Sequence, residues 1–328
     1  MSEEVLITVM LPVYENIDFF RRTIKSLFAQ KEVDFQWNIM ILDWRDDEKA
    51  ETESVLDIVD DKKVFYCRCN NVYRGYIWEC VNYGAEISRA GWISVITNPY
   101  IFLPDYIRYV GNVIKLLKHS SRKRVGVIST QYKSLRVSID DGSIERIISE
   151  HYCDIPDVNG LDKIGYLNSH IVKALGVSKI IIPENAALYC RDIFLETGGY
   201  DTGYDPVETD VLFMKILEKY DAYILYKECG MNFSLKSIYG SKDDVIMAAK
   251  MWREYVLLGS GRACLKGIDK YAYYRFIRRL IQRHKSMRLT INDFKGVMPE
   301  KISVTRYLFY YYYVVHYYEK RMSKKLLH

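Results

Sequence analysis

The strongest constraint on how this chain folds is the alternation of apolar runs and amphipathic segments across its first 130 residues. "VLITVMLPVY" (Val5 to Tyr14), "FQWNIMILD" (Phe35 to Asp43), "KKVFYCRC", "WISVIT" and "RVGVIST" each read as a strand. Between them, Asn16 to Gln30 places Phe19, Phe20, Ile24, Leu27 and Phe28 at helical spacing, with Asn16 able to cap. Tyr76 to Ala90 reads as a second helix ending before Gly91, and a third follows Pro104. Farther on, Asp210 to Tyr220 is helical and "AYILYKE" is a strand. This order predicts an α/β fold, a mainly parallel sheet flanked by helices. In such sheets ligands sit at the carboxyl ends of strands. The positions to watch are therefore Pro12 to Glu15, Asp43, and the turn Thr97-Asn98-Pro99.

Charge divides the chain into two domains. Residues 1–235 are net −8, while residues 236–328 hold 20 Lys/Arg against 7 Asp/Glu, a net +13. The second region is helical in period and rich in aromatic residues. Tyr271 to Arg288 sets Tyr273, Phe276, Ile277, Leu280 and Ile281 on one face and crowds arginines on the other. Thr305 to Lys325 is an aromatic block ended by basic residues. These segments fit a helical extension lying on an anionic membrane surface; packing on the first domain, or pairing with a second copy, is the alternative. No nucleic-acid-binding motif accompanies the charge.

No apolar run reaches the roughly 18 residues of a spanning helix. The acidic start Met1-Ser2-Glu3-Glu4 does not resemble a signal peptide. The expectation is a cytoplasmic protein, peripheral on the inner face of the cell membrane. The seven cysteines lack paired spacing, which argues against a disulfide framework and for ordinary buried thiols. Cys67 and Cys69, the close pair, would share a face on a strand, but no zinc-ligand spacing follows.

Five segments in order resemble the family-2 glycosyltransferases of GT-A fold. They are "ITVMLPVYENIDFFRRTIKSLFAQ", "IMILDWRDDE", "WECVNYGAEISRAGWISVI", "IFLPDYI" and "AALYCRDIFLETGGYD", spanning roughly residues 5–230. The resemblance implies inverting transfer of a sugar from a nucleoside diphosphate donor of UDP or dTDP type. It places Pro12, Tyr14, Glu15 and Asp43 on the base and ribose, and Thr97 and Asn98 beside the donor. Arg74 is a candidate phosphate contact, and Trp44 a candidate for stacking on the base.

The family's Asp-x-Asp metal motif falls on Thr97-Asn98-Pro99, which supplies no carboxylate. Hard divalent cations prefer charged oxygen ligands. The family's later His ligand falls in "KECGMNFSLKS", which has no His. The expectation is a metal-independent site without a cofactor, with Arg74 and Lys215 as candidate cations for the leaving diphosphate. Counting from Gly198-Gly199-Tyr200-Asp201 puts Glu208 on the family's Glu, Thr209 on its catalytic Asp and Lys215 on its Arg. Glu208 or Asp210 is then the candidate base, and Asp210 equally suits a helix N-cap.

The implied activity is glycosyl transfer to a glycan or lipid-linked acceptor in bacterial surface polysaccharide synthesis. The altered motifs keep two other readings open. One is a catalytically silent GT-A protein acting as partner or scaffold for another transferase; the other is a nucleotide sensor.

Overall fold

The computed structural model describes residues 5–13, 17–43, 62–69, 77–97, 99–119, 124–140, 143–152, 164–167, 187–204, 208–234, 242–243, 246, 249 and 288–294. Tyr14, Glu15, Trp44, Arg74 and Asn98, the Asp210 side chain, and nearly all of 236–328 lie outside the described residues.

The strands are β1 (Ile7–Pro12), β2 (Trp37–Asp43), β3 (Val64–Arg68), β4 (Trp92–Val95), β5 (Tyr100–Phe102), β6 (Val125–Asp140), β7 (Ser143–Tyr152), β8 (Ile164–Leu167), β9 (Leu188–Cys190) and β10 (Asp221–Ser234). The helices are α1 (Ile17–Phe28), α2 (Ile77–Ile87), α3 (Tyr106–His119), α4 (Arg191–Glu196) and α5 (Glu208–Lys219). Among the described residues the strands form one sheet in the order β3-β2-β1-β4-β9-β6-β10-β5, with β7 beside β6 and β8 beside β10.

The first half of this sheet is parallel, as the βα alternation predicts: β3, β2, β1 and β4 pair in one direction. All six residues of β1 are buried, as befits a strand covered on both faces. Strand β9 enters between β4 and β6 and runs antiparallel to both. Strand β6 therefore points the same way as β4, and β10 joins it in parallel. Antiparallel β5, β7 and β8 complete a mixed second half.

Two glycines set how closely the helices approach. A Cβ at Gly84 of α2 would lie 3.0 Å from a Leu42 methyl group of β2. A Cβ at Gly111 of α3 would lie 2.1 Å from the Phe35 ring. Phe20, Ile24 and Leu27 of α1 are buried in one cluster with Ile39 and Ile41 of β2 and Ile107, Val110 and Ile114 of α3. The helical spacing read from the sequence is thus the core-facing stripe of α1.

Candidate functional site

Strands β2, β1 and β4 are neighbours and parallel, so their carboxyl ends open on one edge of the sheet. Pro12 pairs in register with Leu42, one residue before Asp43, and Met10 pairs with Val95. Pro12, Asp43 and Thr97 are thereby brought to a common edge. Thr97 is half-buried, and the following Pro99 is buried.

Asp43 is 3% exposed. Tyr66 of β3 donates its hydroxyl to Asp43 Oδ2 at 2.9 Å. The Cys69 amide donates to the Asp43 carbonyl at 2.8 Å, and the Val13 amide donates to the Leu42 carbonyl at 2.9 Å. These bonds hold both strand ends as they leave the sheet. A buried carboxylate needs such partners, since burying an unpaired charge is costly. Arg68 pairs in register with Asp43 and is exposed, which puts a cation on the same face of the same edge. Tyr66 and Arg68 were not singled out from the sequence. Period-2 alternation in β3, aligned to β2, was the signal that could have found them.

The turn after β4 is held from beneath by α1. Thr23 Oγ1 accepts the Tyr100 amide at 3.2 Å, and Ser26 Oγ accepts the Phe102 amide at 3.1 Å. Gln30 donates to the Leu103 carbonyl at 2.8 Å and accepts the Ile107 amide at 2.9 Å. Two polar side chains of α1 and one just past its end thus satisfy the backbone of the segment that follows Thr97. The Ser and Gln of the family-like "SLFAQ" stretch have a structural role here.

The Gly198-Gly199 turn, with φ of 84° and 63°, leads into a contact with α2. Asn82 of α2 reaches across to Tyr200, accepting its amide at 2.9 Å and donating to its carbonyl at 2.8 Å. Trp78, one turn earlier, lies over the Tyr200 ring with centroids 4.3 Å apart. Arg191 anchors the same helix from its other end, donating to the Ala85 and Glu86 carbonyls at 2.7 and 2.8 Å. Such cationic partners suit the orphan carbonyls of a helix C-terminus.

Helix α5 brings in Glu208. Its last turn lies on the start of β6: a Cβ at Gly126 would be 2.3 Å from Ile216 and 3.2 Å from Tyr220. Eight residues of helix separate Ile216 from Glu208, about 12 Å along the axis toward the strand ends. Glu208, the first residue of α5, therefore lies on the carboxyl side of the sheet, the side of Thr97 and Asp43. It is 2% exposed. Asp210 is the third residue of α5, inside the helix and not the N-cap that the sequence suggested. Lys215 is ion-paired with Asp201 at 3.2 Å, so its charge is already partly neutralised. Among the described residues no group of three His, Cys, Asp or Glu side chains could hold a metal ion.

No family model matches the chain. No curated protein matches it either. Solved structures do. TarS 1–349 from S. aureus, solved in complex with UDP, superimposes with a TM-score of 0.59 at 10% identity, over 88% of this chain and 77% of that one. The same protein with UDP-GlcNAc gives 0.60 at 10% identity, over 89% and 79%. A longer TarS structure gives 0.60 at 11% identity, over 90% of this chain and half of that one. The chain has an α/β, GT-A-like fold. Among the described residues no helix is long and apolar enough to cross a membrane.

Proposed function

We propose that this protein is a glycosyltransferase that takes a sugar from a nucleoside diphosphate of UDP or dTDP type. The observation that carries the reading is the shared carboxyl edge of β2, β1 and β4, with Asp43 buried and held by Tyr66. The fold supports it: TarS, similar in fold, was solved with UDP and with UDP-GlcNAc.

In this proposal Asp43 accepts a hydrogen bond from the base, beside Pro12, Tyr14 and Glu15. Thr97 and Asn98 face the ribose and phosphates. Arg74 and the newly located Arg68 supply positive charge for the diphosphate. Glu208 or Asp210 takes the proton of the acceptor hydroxyl as it attacks the sugar, with inversion.

The divalent metal of this fold family does not fit. Thr97, Asn98 and Pro99 offer no carboxylate, and hard cations are held mainly by charged oxygens. The proposed reaction therefore neutralises the leaving diphosphate with side-chain cations, hydroxyls and backbone N–H groups.

The acceptor in this proposal is a glycan or lipid-linked sugar in surface polysaccharide synthesis, and the basic 236–328 region meets an anionic membrane. Deleting residues 270–328 should abolish binding to anionic vesicles, and added salt should weaken binding of the intact chain. Indifference of the intact chain to such vesicles at low salt would remove the membrane from the reading.

Calorimetry with a panel of nucleoside diphosphates, with and without Mn²⁺, tests the core of the proposal. Binding of UDP or dTDP unchanged by Mn²⁺ is the expected result; no binding to any member of the panel would overturn it. The altered metal and base positions favour one other reading, a silent GT-A partner of another transferase. Nucleotide binding without turnover on any donor, together with a stable complex with such an enzyme, would select it.

A further inference from the structure

Three cysteines from two elements converge behind the strand end that carries Asp43. Cys67 lies in β3, Cys69 immediately after it, and Cys80 in α2. The sulfurs of Cys67 and Cys69 are 3.9 Å apart. Cys80 is near enough to both for the three thiols to influence one another's ionisation. Cys69 and Cys80 are fully buried, whereas Cys67 is half-buried and open to small reagents from solvent. The three sulfurs do not form a metal-holding group, so a soft-metal centre does not account for them.

We propose that Cys67 and Cys69 form an oxidisable thiol pair, with Cys67 the sulfur attacked by a two-electron peroxide and Cys69 the resolving thiol.

The chemistry is balanced by the oxidant. The Cys67 thiolate attacks one oxygen of hydrogen peroxide, the O–O bond breaks, and the departing hydroxide takes a proton to leave as water. Cys67 is then a sulfenic acid. The Cys69 sulfur displaces its hydroxyl, which leaves as a second water with the Cys69 proton. Two thiols and one peroxide give one disulfide and two waters. The sulfurs must close from 3.9 Å to about 2.05 Å, the length of a disulfide bond.

Electrostatics set the order of the two thiols. A hydrogen bond from Cys69 to Cys67 lowers the Cys67 thiol to about 7, against the opposing effect of burial. Its hydrogen bond with Cys67, the neighbouring Cys80 sulfur and burial together hold the Cys69 thiol well above its ordinary value. Near neutral pH the outer sulfur therefore carries a substantial thiolate fraction, while the inner one stays a protonated thiol. Reactive cysteines combine this thiolate character with access.

The pair is tied to the candidate site by the β2–β3 ladder, where Cys67 pairs with Leu42, and by the Cys69 amide bonded to the Asp43 carbonyl at 2.8 Å. Closing the disulfide moves Cys69 and with it the end of β2. The consequence for nucleotide affinity rests on the function proposed above; the thiol chemistry does not.

Arg68 lies between the two cysteines, which makes the test direct. The full-length protein is exposed to hydrogen peroxide, blocked with N-ethylmaleimide and digested with trypsin. A Cys67–Cys69 bridge holds the peptide Val64–Arg68 to the peptide Cys69–Arg74 until reductant is added. The link should vanish in Cys67→Ser and persist in Cys80→Ser. In Cys69→Ser, dimedone should trap a sulfenic acid on Cys67. A thermal melt of each variant confirms that it is folded. Without peroxide, Cys67 should be alkylated at pH 7 about tenfold faster than Cys69.

Full recovery of alkylated Cys67 after peroxide, or a bridge made to Cys80, would overturn the proposal. UDP calorimetry on reduced and oxidised protein separates the two claims. Weaker binding after oxidation, restored by reductant, supports the link to Asp43, and unchanged affinity removes it. A bridge in a protein that binds no nucleotide in either state leaves the thiol pair standing and the nucleotide reading refuted.

Discussion

The carboxamide of Asn82 grips both sides of the Tyr200 peptide, accepting from its N–H at 2.9 Å and donating to its C=O at 2.8 Å across 118 residues of sequence. This pair ties α2 to the turn that leads toward α5. Gly199 leaves room for it: a Cβ there would lie 2.4 Å from Asn82 Oδ1, and its φ of 63° disfavours other residues. Asn82→Ala should cost about 1–3 kcal/mol, since two part-buried hydrogen bonds are lost. Gly199→Ala should cost about 1–3 kcal/mol through strain. Urea denaturation of both variants checks the pair; a loss within experimental error for Asn82→Ala would show that the clamp is not a stabilising contact.

Asp43→Ala should weaken nucleoside diphosphate binding by about 1–3 kcal/mol, the worth of a hydrogen bond to a charged group. Tyr66→Phe keeps the ring but removes the 2.9 Å donor, so it should weaken binding by less. Titration calorimetry measures both, and equal affinity of Asp43→Ala and wild type would take Asp43 out of the site.

Turnover should survive EDTA, because the turn at Thr97 to Pro99 has no carboxylate to lose a metal from. Replacing the base should be severe, on the order of a hundredfold or more. Glu208→Ala and Asp210→Ala are compared in a donor-consumption assay to identify it. Activity abolished by EDTA and restored by Mn²⁺ would place a metal site elsewhere in the protein.

Acid should remove the cross-link between Lys227 and Asp105. The Lys227 ammonium lies against Asp105 in the loop before α3 and holds that carboxyl below its ordinary value of 3.8. A lowered folded-state value means the stabilisation is fully present above 3.8 and is lost as pH falls through the lower, folded value. Both side chains are 31% exposed, so screening keeps the pair to about 0.5–1 kcal/mol. Lys227→Met should therefore be less stable than wild type at pH 7, with the gap narrowing below about pH 4. A gap that is constant across this range, measured by denaturant titration, would assign the effect to the Lys227 ammonium over the Tyr109 ring, 4.5 Å from its centroid.

The sequence by itself determined the parallel half of the fold. The apolar runs at Ile7–Pro12, Trp37–Asp43 and Trp92–Val95 and the stripe Phe20, Ile24 and Leu27 are periodic signals, and burial on both faces of a sheet needs nothing longer-ranged to be legible. It also placed Pro12, Asp43 and Thr97 at strand ends, because a strand end is a local property. What only the tertiary structure decided is which strands stand next to each other and which distant side chains meet. The antiparallel insertion of Leu188–Cys190 between β4 and β6 leaves no local trace in three residues. The clamp of Asn82 on Tyr200, the Tyr66 hydroxyl on Asp43 and the Gln30 amide on Leu103 and Ile107 are pairings across 23 to 118 residues. Their partners are backbone groups and single polar atoms, with no periodicity to announce them. The meeting of Cys80 with Cys67 and Cys69 is of the same kind: the spacing of the last two was visible, but their third neighbour comes from a helix that only the packing against β2 brings into reach.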